Sequence, residues 1–124
     1  MPTRILIADD HKSAIREIRT VLGANPEWEV CGEAENGQVA IEKVRQLRPD
    51  VVTLDWQMPV MNGLEAAREI TRIDPNATML LITLHESGQL TREAHAAGIK
   101  EVLSKADGVS EHLISSLKEV WTQN

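Results

Sequence analysis

Along this chain, short runs of apolar and β-branched residues alternate with longer stretches in which apolar residues return every three or four positions. The first pattern predicts strands and the second amphipathic helices, because side chains alternate across a strand but share a helix face about every 3.6 residues. The run Val51-Val52-Thr53-Leu54 carries the most information. Without polar alternation, both of its faces must be covered, as in a parallel sheet between helix layers. It ends in Asp55, and Trp56-Gln57-Met58-Pro59 follows. Thr78–Leu84 reads as a further strand of this kind, and Arg4–Ala8 and Glu101–Ser104 as shorter strands. Trp28–Ala34 differs, with Trp28, Val30, Gly32 and Ala34 expected on one face and Glu29, Cys31 and Glu33 on the other, the pattern of an edge strand.

The helices fall between these runs. Ile15, Ile18 and Leu22 line one face of a helix from Lys12 to Leu22, stopped by Gly23 with Pro26 beyond. A second starts at Asn36-Gly37, aligns Ala40, Val44 and Leu47, and closes at Pro49. The third opens at Asn62-Gly63, aligns Ala66, Ile70 and Ile73, and ends at Asp74-Pro75. The fourth, Ser87–Ala97, has only Leu90, Ala94 and Ala97 to turn inward, and Gly98 ends it. A fifth, Val109–Thr122, carries Leu113, Leu117 and Val120 flanked by Ile114 and Trp121. Five strands alternating with five helices predict an α/β fold of the flavodoxin-like (βα)5 type: a parallel sheet of order 2-1-3-4-5 with helices on both faces. That order puts the least apolar strands at the edges and the first and third side by side at the switch point.

Length and charge narrow the function. The 124 residues predict a single domain spanning 1–124. A net charge of −6 argues against a basic surface for nucleic acid or anionic lipid. One cysteine, Cys31, excludes an internal disulfide and predicts a reducing compartment. No run approaches the ~20 apolar residues of a membrane span, and the N-terminus lacks a signal-peptide core, so the expected location is cytoplasmic.

In the predicted strand order, the strands' carboxyl ends bring Asp9-Asp10, Asp55, Thr83 and Lys105 to one edge. Each alone has a plain structural explanation: a strand-ending Asp, an acid pair at a helix start, a β-branched strand residue, a solvated lysine. Together they do not. Three carboxylates within several ångströms repel one another unless a cation lies between them. Oxygen donors without Cys or His favour a hard ion, and Mg2+ suits a site that leaves room for water and phosphate oxygens. His11 beside the acid pair is read as a solvent-facing residue rather than a base; His95 and His112, in helices, are assigned nothing.

These pieces, with the stretch from Asp55 through Met61-Asn62-Gly63, resemble the receiver domain of bacterial two-component response regulators, over essentially the whole chain. The resemblance implies that Asp55 accepts a phosphoryl group from a histidine kinase's phosphohistidine. It further implies that Asp10, Asp55 and the backbone carbonyl of Gln57 bind Mg2+, with Asp9 holding it through water. Lys105 and Thr83 would serve the phosphoryl oxygens. On this reading the chain is a signalling phosphoacceptor, catalysing only its own phosphoryl transfer and slow dephosphorylation. Its partners would be a sensor histidine kinase or a phosphotransfer protein. Phosphorylation would favour a homodimer or release a C-terminal DNA-binding effector domain outside this chain, so the implied output is transcriptional.

Two positions depart from the commonest receiver pattern. Ala106 follows Lys105 where many receivers have proline, which resembles the branch whose receiver precedes a helix-turn-helix domain. Val102 stands where many carry Tyr or Phe, and the chain has neither residue anywhere, so an aromatic rotamer switch is ruled out. The signal is expected to travel instead through 84–87 and the loop after Lys105 to the weakly anchored fourth helix. Two other classes fit poorly. A haloacid-dehalogenase-like phosphatase would need a second acid at Gln57, and a flavin or nucleotide module would need a glycine-rich loop where Asp9-Asp10-His11-Lys12 stands.

Overall fold

β1 (Thr3–Ala8) and β3 (Val51–Asp55) lie side by side at the centre of a five-stranded parallel sheet. β2 (Trp28–Ala34) flanks β1 at one edge; β4 (Thr78–Thr83) and then β5 (Glu101–Ser104) continue on the other side. The order β2-β1-β3-β4-β5 is the one the strand patterns predict. The structure, a computed structural model, describes residues 2–105 and 113–118. Expectations placed on Ala106, on the helix before 113 and on Val120 and Trp121 lie outside the described residues.

Helices cover both faces because the central strands β1, β3 and β4 bury both of theirs. One apolar layer takes Leu6, Val52, Leu54 and Leu81 of the sheet against α2 (Gly37–Leu47), α3 (Gly63–Ile73) and α4 (Gly88–Ala96). The opposite layer sets Ile5, Ile7, Val51, Leu80 and Leu103 against Ile15, Ile18 and Leu22 of α1 (Lys12–Gly23) and Leu113 and Leu117 of a fifth helix, α5, helical over the described residues 113–118. The predicted inward positions of α2 and α3 are buried at Ala40, Val44, Ala66 and Ile70, with Leu47 and Ile73 half-buried at the ends. Asn36 and Asn62 cap these helices, accepting from Val39 N and Glu65 N, and the Glu65 carboxylate accepts from Asn62 N to complete a capping box.

Three local expectations are corrected. β2 does not keep a strict alternation: its register with β1 jumps from Ile5↔Val30 to Leu6↔Gly32, so Cys31 is an extra residue in a bulge. Trp28 and Val30 therefore pack in the α1 layer and Ala34 in the α2 layer, where alternation had placed all three on one face. The bulge leaves Cys31 half-buried, and burial raises the pKa of its thiol, which disfavours the thiolate. Leu84, assigned to β4, lies beyond the strand end and is 62% exposed. Gly23 is the last residue of α1 and not a stop outside it. The left-handed stops occur at Gly98 (φ 96°), as expected, and at Arg48 (φ 47°), which precedes the buried Pro49.

Candidate functional site

The site is built by strand periodicity at the carboxyl edge. Ile7, Thr53 and Leu103 point into the α1 layer or lie in the buried sheet centre, and two residues on, Asp9, Asp55 and Lys105 emerge together at its rim. Backbone bonds continue past the strand ends and fix these positions: Asp9 N donates to Ala34 O (2.9 Å), Trp56 N to Ile82 O (3.2 Å) and Lys105 N to Thr83 O (2.7 Å). The Lys105 ammonium then donates to both Asp9 Oδ2 and Asp55 Oδ1, each at 3.2 Å.

Burial sets the electrostatics. Asp55 is only 7% exposed and Asp9 2%. Loss of solvent, then the Asp9 charge, raise the Asp55 carboxyl from 3.8 to about 6 against the opposing pull of Lys105. Burial acts to lower the Lys105 ammonium, but Asp9, Asp55 and their hydrogen bonds together hold its pKa above the ordinary value. One lysine thus compensates the carboxylates only in part, and the remaining negative charge invites a further cation. Asp9, Asp10, His11 and Asp55 each offer one ligand atom within 4.8 Å of the others. Their carboxylate oxygens suit the hard ion expected from the sequence.

A pocket of about 110 Å3 opens beside Asp55, walled by Thr83 and Lys105 and by the exposed His11, Gln57, Leu84 and His85. Thr83 Oγ1 accepts from His85 N at 3.1 Å, which leaves the hydroxyl proton to be donated. Asp9 and Asp10 also border a cavity of about 340 Å3 on the α1–α2 side, with Lys12 and Lys43 among its walls. The predicted site residues Asp9, Asp10, Asp55, Gln57, Thr83 and Lys105 therefore lie at one edge. Leu84 and His85 were missed as walls; their place directly after Thr83 was the available signal. His11 is exposed as expected, yet its ring Nδ1 stands 3.1 Å from Asp10 Oδ1 and 3.3 Å from Asp9 Oδ1.

The loop from β3 to α3 is tightly folded over the site. An added Cβ on Gly63 would stand 2.5 Å from Asp55 O and 2.9 Å from Leu81 Cδ1, so only glycine lets α3 start this close to the strand. Met61 N donates to Pro59 O (2.7 Å) across Val60, whose φ of 70° is strained for a β-branched residue. Met61 O in turn accepts from Gly37 N, pinning the loop to the start of α2.

The fold is thus a flavodoxin-like parallel α/β sheet with acids and a lysine gathered at its carboxyl edge. The chain belongs to the response regulator receiver domain family, whose family model matches residues 5–117. It is 41% identical over 108 residues to the chemotaxis protein CheY of Thermotoga maritima, covering 85% of this chain and 87% of that protein. It is 38% identical over 106 residues to a protein-glutamate methylesterase/protein-glutamine glutaminase of Photobacterium profundum; the match covers 85% of this chain but only 27% of that protein. Among solved structures, the response regulator domain of Thermotoga maritima CheB superposes with a TM-score of 0.89 at 29% identity, covering 96% of each chain. A LuxR-family response regulator from Aurantimonas sp. SI85-9A1 gives a TM-score of 0.92 at 27% identity, over 100% of this chain and 88% of that one. Among the described residues, no helix is long and apolar enough to cross a membrane.

Proposed function

We propose that Asp55 is the phosphoacceptor of a signalling switch, taking its phosphoryl group from the phosphohistidine of a sensor histidine kinase or phosphotransfer protein. The observation that carries this reading is the Lys105 ammonium at 3.2 Å from both Asp9 and Asp55, beside a pocket open to a donor. In the transfer, an Asp55 carboxylate oxygen forms the new P–O bond as the P–N bond breaks, and the electron pair returns to the donor imidazole. Lys105 neutralises a phosphoryl oxygen, and the Thr83 hydroxyl donates to another. Asp10, Asp55 and the backbone carbonyl of Gln57 would hold Mg2+, with Asp9 acting through water. When bound, the ion offsets the charge of the carboxylates and of the phosphoryl oxygens. A structural relative supports this choice of ion: the CheX–CheY complex of Borrelia burgdorferi, 26% identical with a TM-score of 0.81, was solved with beryllofluoride and Mg2+.

Incubation with acetyl phosphate and Mg2+ tests the assignment. The expected result is one added phosphoryl group by intact mass on the native chain and none on Asp55→Asn, whose amide keeps the shape but is no nucleophile. Acid-labile phosphate persisting on the variant would overturn it.

Two outputs fit the switch, either acting in the cytoplasm and with or without a homodimer. Transcription through an attached or partner effector is what the sequence resemblance implies. Similarity to a chemotaxis protein and to the receiver portion of a methylesterase favours control through protein contact, and methylesterase chemistry itself is not part of the proposal. In either case Thr83 and Lys105 move toward the added phosphoryl oxygens and carry the loop before α4 with them. Val102, half-buried against the α4 layer, replaces the missing aromatic, so α4 and β5 shift without a rotamer flip. Beryllofluoride should change amide shifts across 87–104; silence there would sink this route.

A further inference from the structure

His11 has no task in the transfer set out above, yet its position is not that of an idle surface group. His11 N donates to Asp9 Oδ1 at 2.9 Å, which fixes the backbone so that the exposed ring stands against the acid pair. Its Nδ1 lies 3.1 Å from Asp10 Oδ1 and 3.3 Å from Asp9 Oδ1. Adjacent ligands of an octahedral ion with bonds of about 2.1–2.2 Å stand about 3 Å apart, so the His11–Asp10 separation matches neighbouring ligands of one ion, with Asp9 reaching it through water. The ring is 65% exposed, and its Nδ1 either donates to these carboxylates or offers a lone pair to an ion, according to the tautomer. A nitrogen among oxygens alters which cation the set prefers: carboxylate and water suit Mg2+, whereas imidazole draws the later first-row ions.

We propose that His11 Nδ1 ligates the divalent cation of the acid cluster, making a mixed nitrogen–oxygen site that favours Mn2+ and, more strongly, Co2+ over Mg2+. The inference rests on the reading of the cluster as a cation site, and it names a ligand specific to this chain's own residues. It implies that the bound ion depends on which divalent metals are available as well as on Mg2+ concentration. The other imidazole at the pocket, His85, borders Asp55 but is not one of the four converging groups.

Pulsed EPR of the Mn2+-loaded protein reads the ligand directly. A 14N modulation from imidazole is expected in the native chain and in His85→Gln, and its loss is expected in His11→Gln. In parallel, the ratio of the Mg2+ to the Co2+ dissociation constant, measured by calorimetry, should fall roughly tenfold in His11→Gln. A nitrogen coupling that survives in His11→Gln overturns the proposal. So does tight Mn2+ binding with no nitrogen coupling in the native chain, an outcome that leaves the cation site itself standing. Failure of the native chain to bind any divalent ion would instead remove the reading on which the proposal rests.

Discussion

α3 and α4 both begin just beyond a strand that ends in the site, and they are held in opposite ways. α3 buries Leu64, Ala66, Ala67 and Ile70, carries a capping box, and starts against the backbone of Asp55 itself. α4 buries only Leu90 and Ala94, and every residue from 84 to 89 ahead of Leu90 is exposed. Its far end is fixed: Thr71 of α3 donates to Ala97 O (2.9 Å), and Gly98 turns the chain at φ 96° so closely over Thr71 that an added Cβ would meet Oγ1. One helix is therefore a floor for the acceptor, and the other is anchored at its C-terminus, while the segment leading from Thr83 into its Ser87-capped N-terminus is exposed. A receiver needs both, because the nucleophile must be positioned before transfer while something nearby must remain easy to move afterwards.

Breaking the floor should have the largest effect. Gly63→Ala places a methyl group against a backbone oxygen that cannot rotate away, and should cost more than about 3 kcal/mol in urea unfolding. A cost under about 1 kcal/mol would show that α3 is not locked to β3 as described.

Truncations sharpen the contrast. Ile70→Ala in α3 should cost about 3 kcal/mol and Leu90→Ala in α4 about 2, since the second site can relax toward solvent. In the native chain, amides of α4 should exchange through local openings of lower free energy than those of α3. Equal protection of the two helices would contradict the comparison.

The smallest effect concerns the charge at the foot of α3. The Asp55 carboxyl sits at about 6 in the folded chain against 3.8 ordinarily, so the folded state holds this proton more tightly than the unfolded one. Its favourable contribution is complete below pH 3.8, is lost as pH rises toward 6, and leaves a constant penalty above that. Asp55→Asn should therefore raise metal-free stability at pH 7 by about 1–2 kcal/mol, a gain of several degrees in Tm, and flatten the dependence between pH 4 and 6. Saturating Mg2+ should reduce the difference, and an unchanged or lower Tm for the variant would refute the electrostatic account.

Much of this was legible in the residues because it depends on period and punctuation. The uncovered hydrophobicity of Val51–Leu54 required a buried parallel strand, Asn-Gly pairs marked two helix starts, and the weakness of α4 showed in its having only Leu90, Ala94 and Ala97 to turn inward. Asp55 and Thr83 end a strand and Asp9, Asp10 and Lys105 follow one, so the strand order was enough to gather them at one edge.

Tertiary structure decided what local pattern cannot encode. The Cys31 bulge depends on how β2 meets β1, and one inserted residue moved Ala34 to the opposite layer. Leu84 is apolar and adjoins a buried strand, but the sheet ends at Thr83, so it became a wall of the pocket. The two-way bridge of Lys105 and the turn of His11 toward two carboxylates also had no sequence signal. A side chain's direction is set by charges and packing that arrive from distant segments, whereas its position along a strand is set by the chain alone.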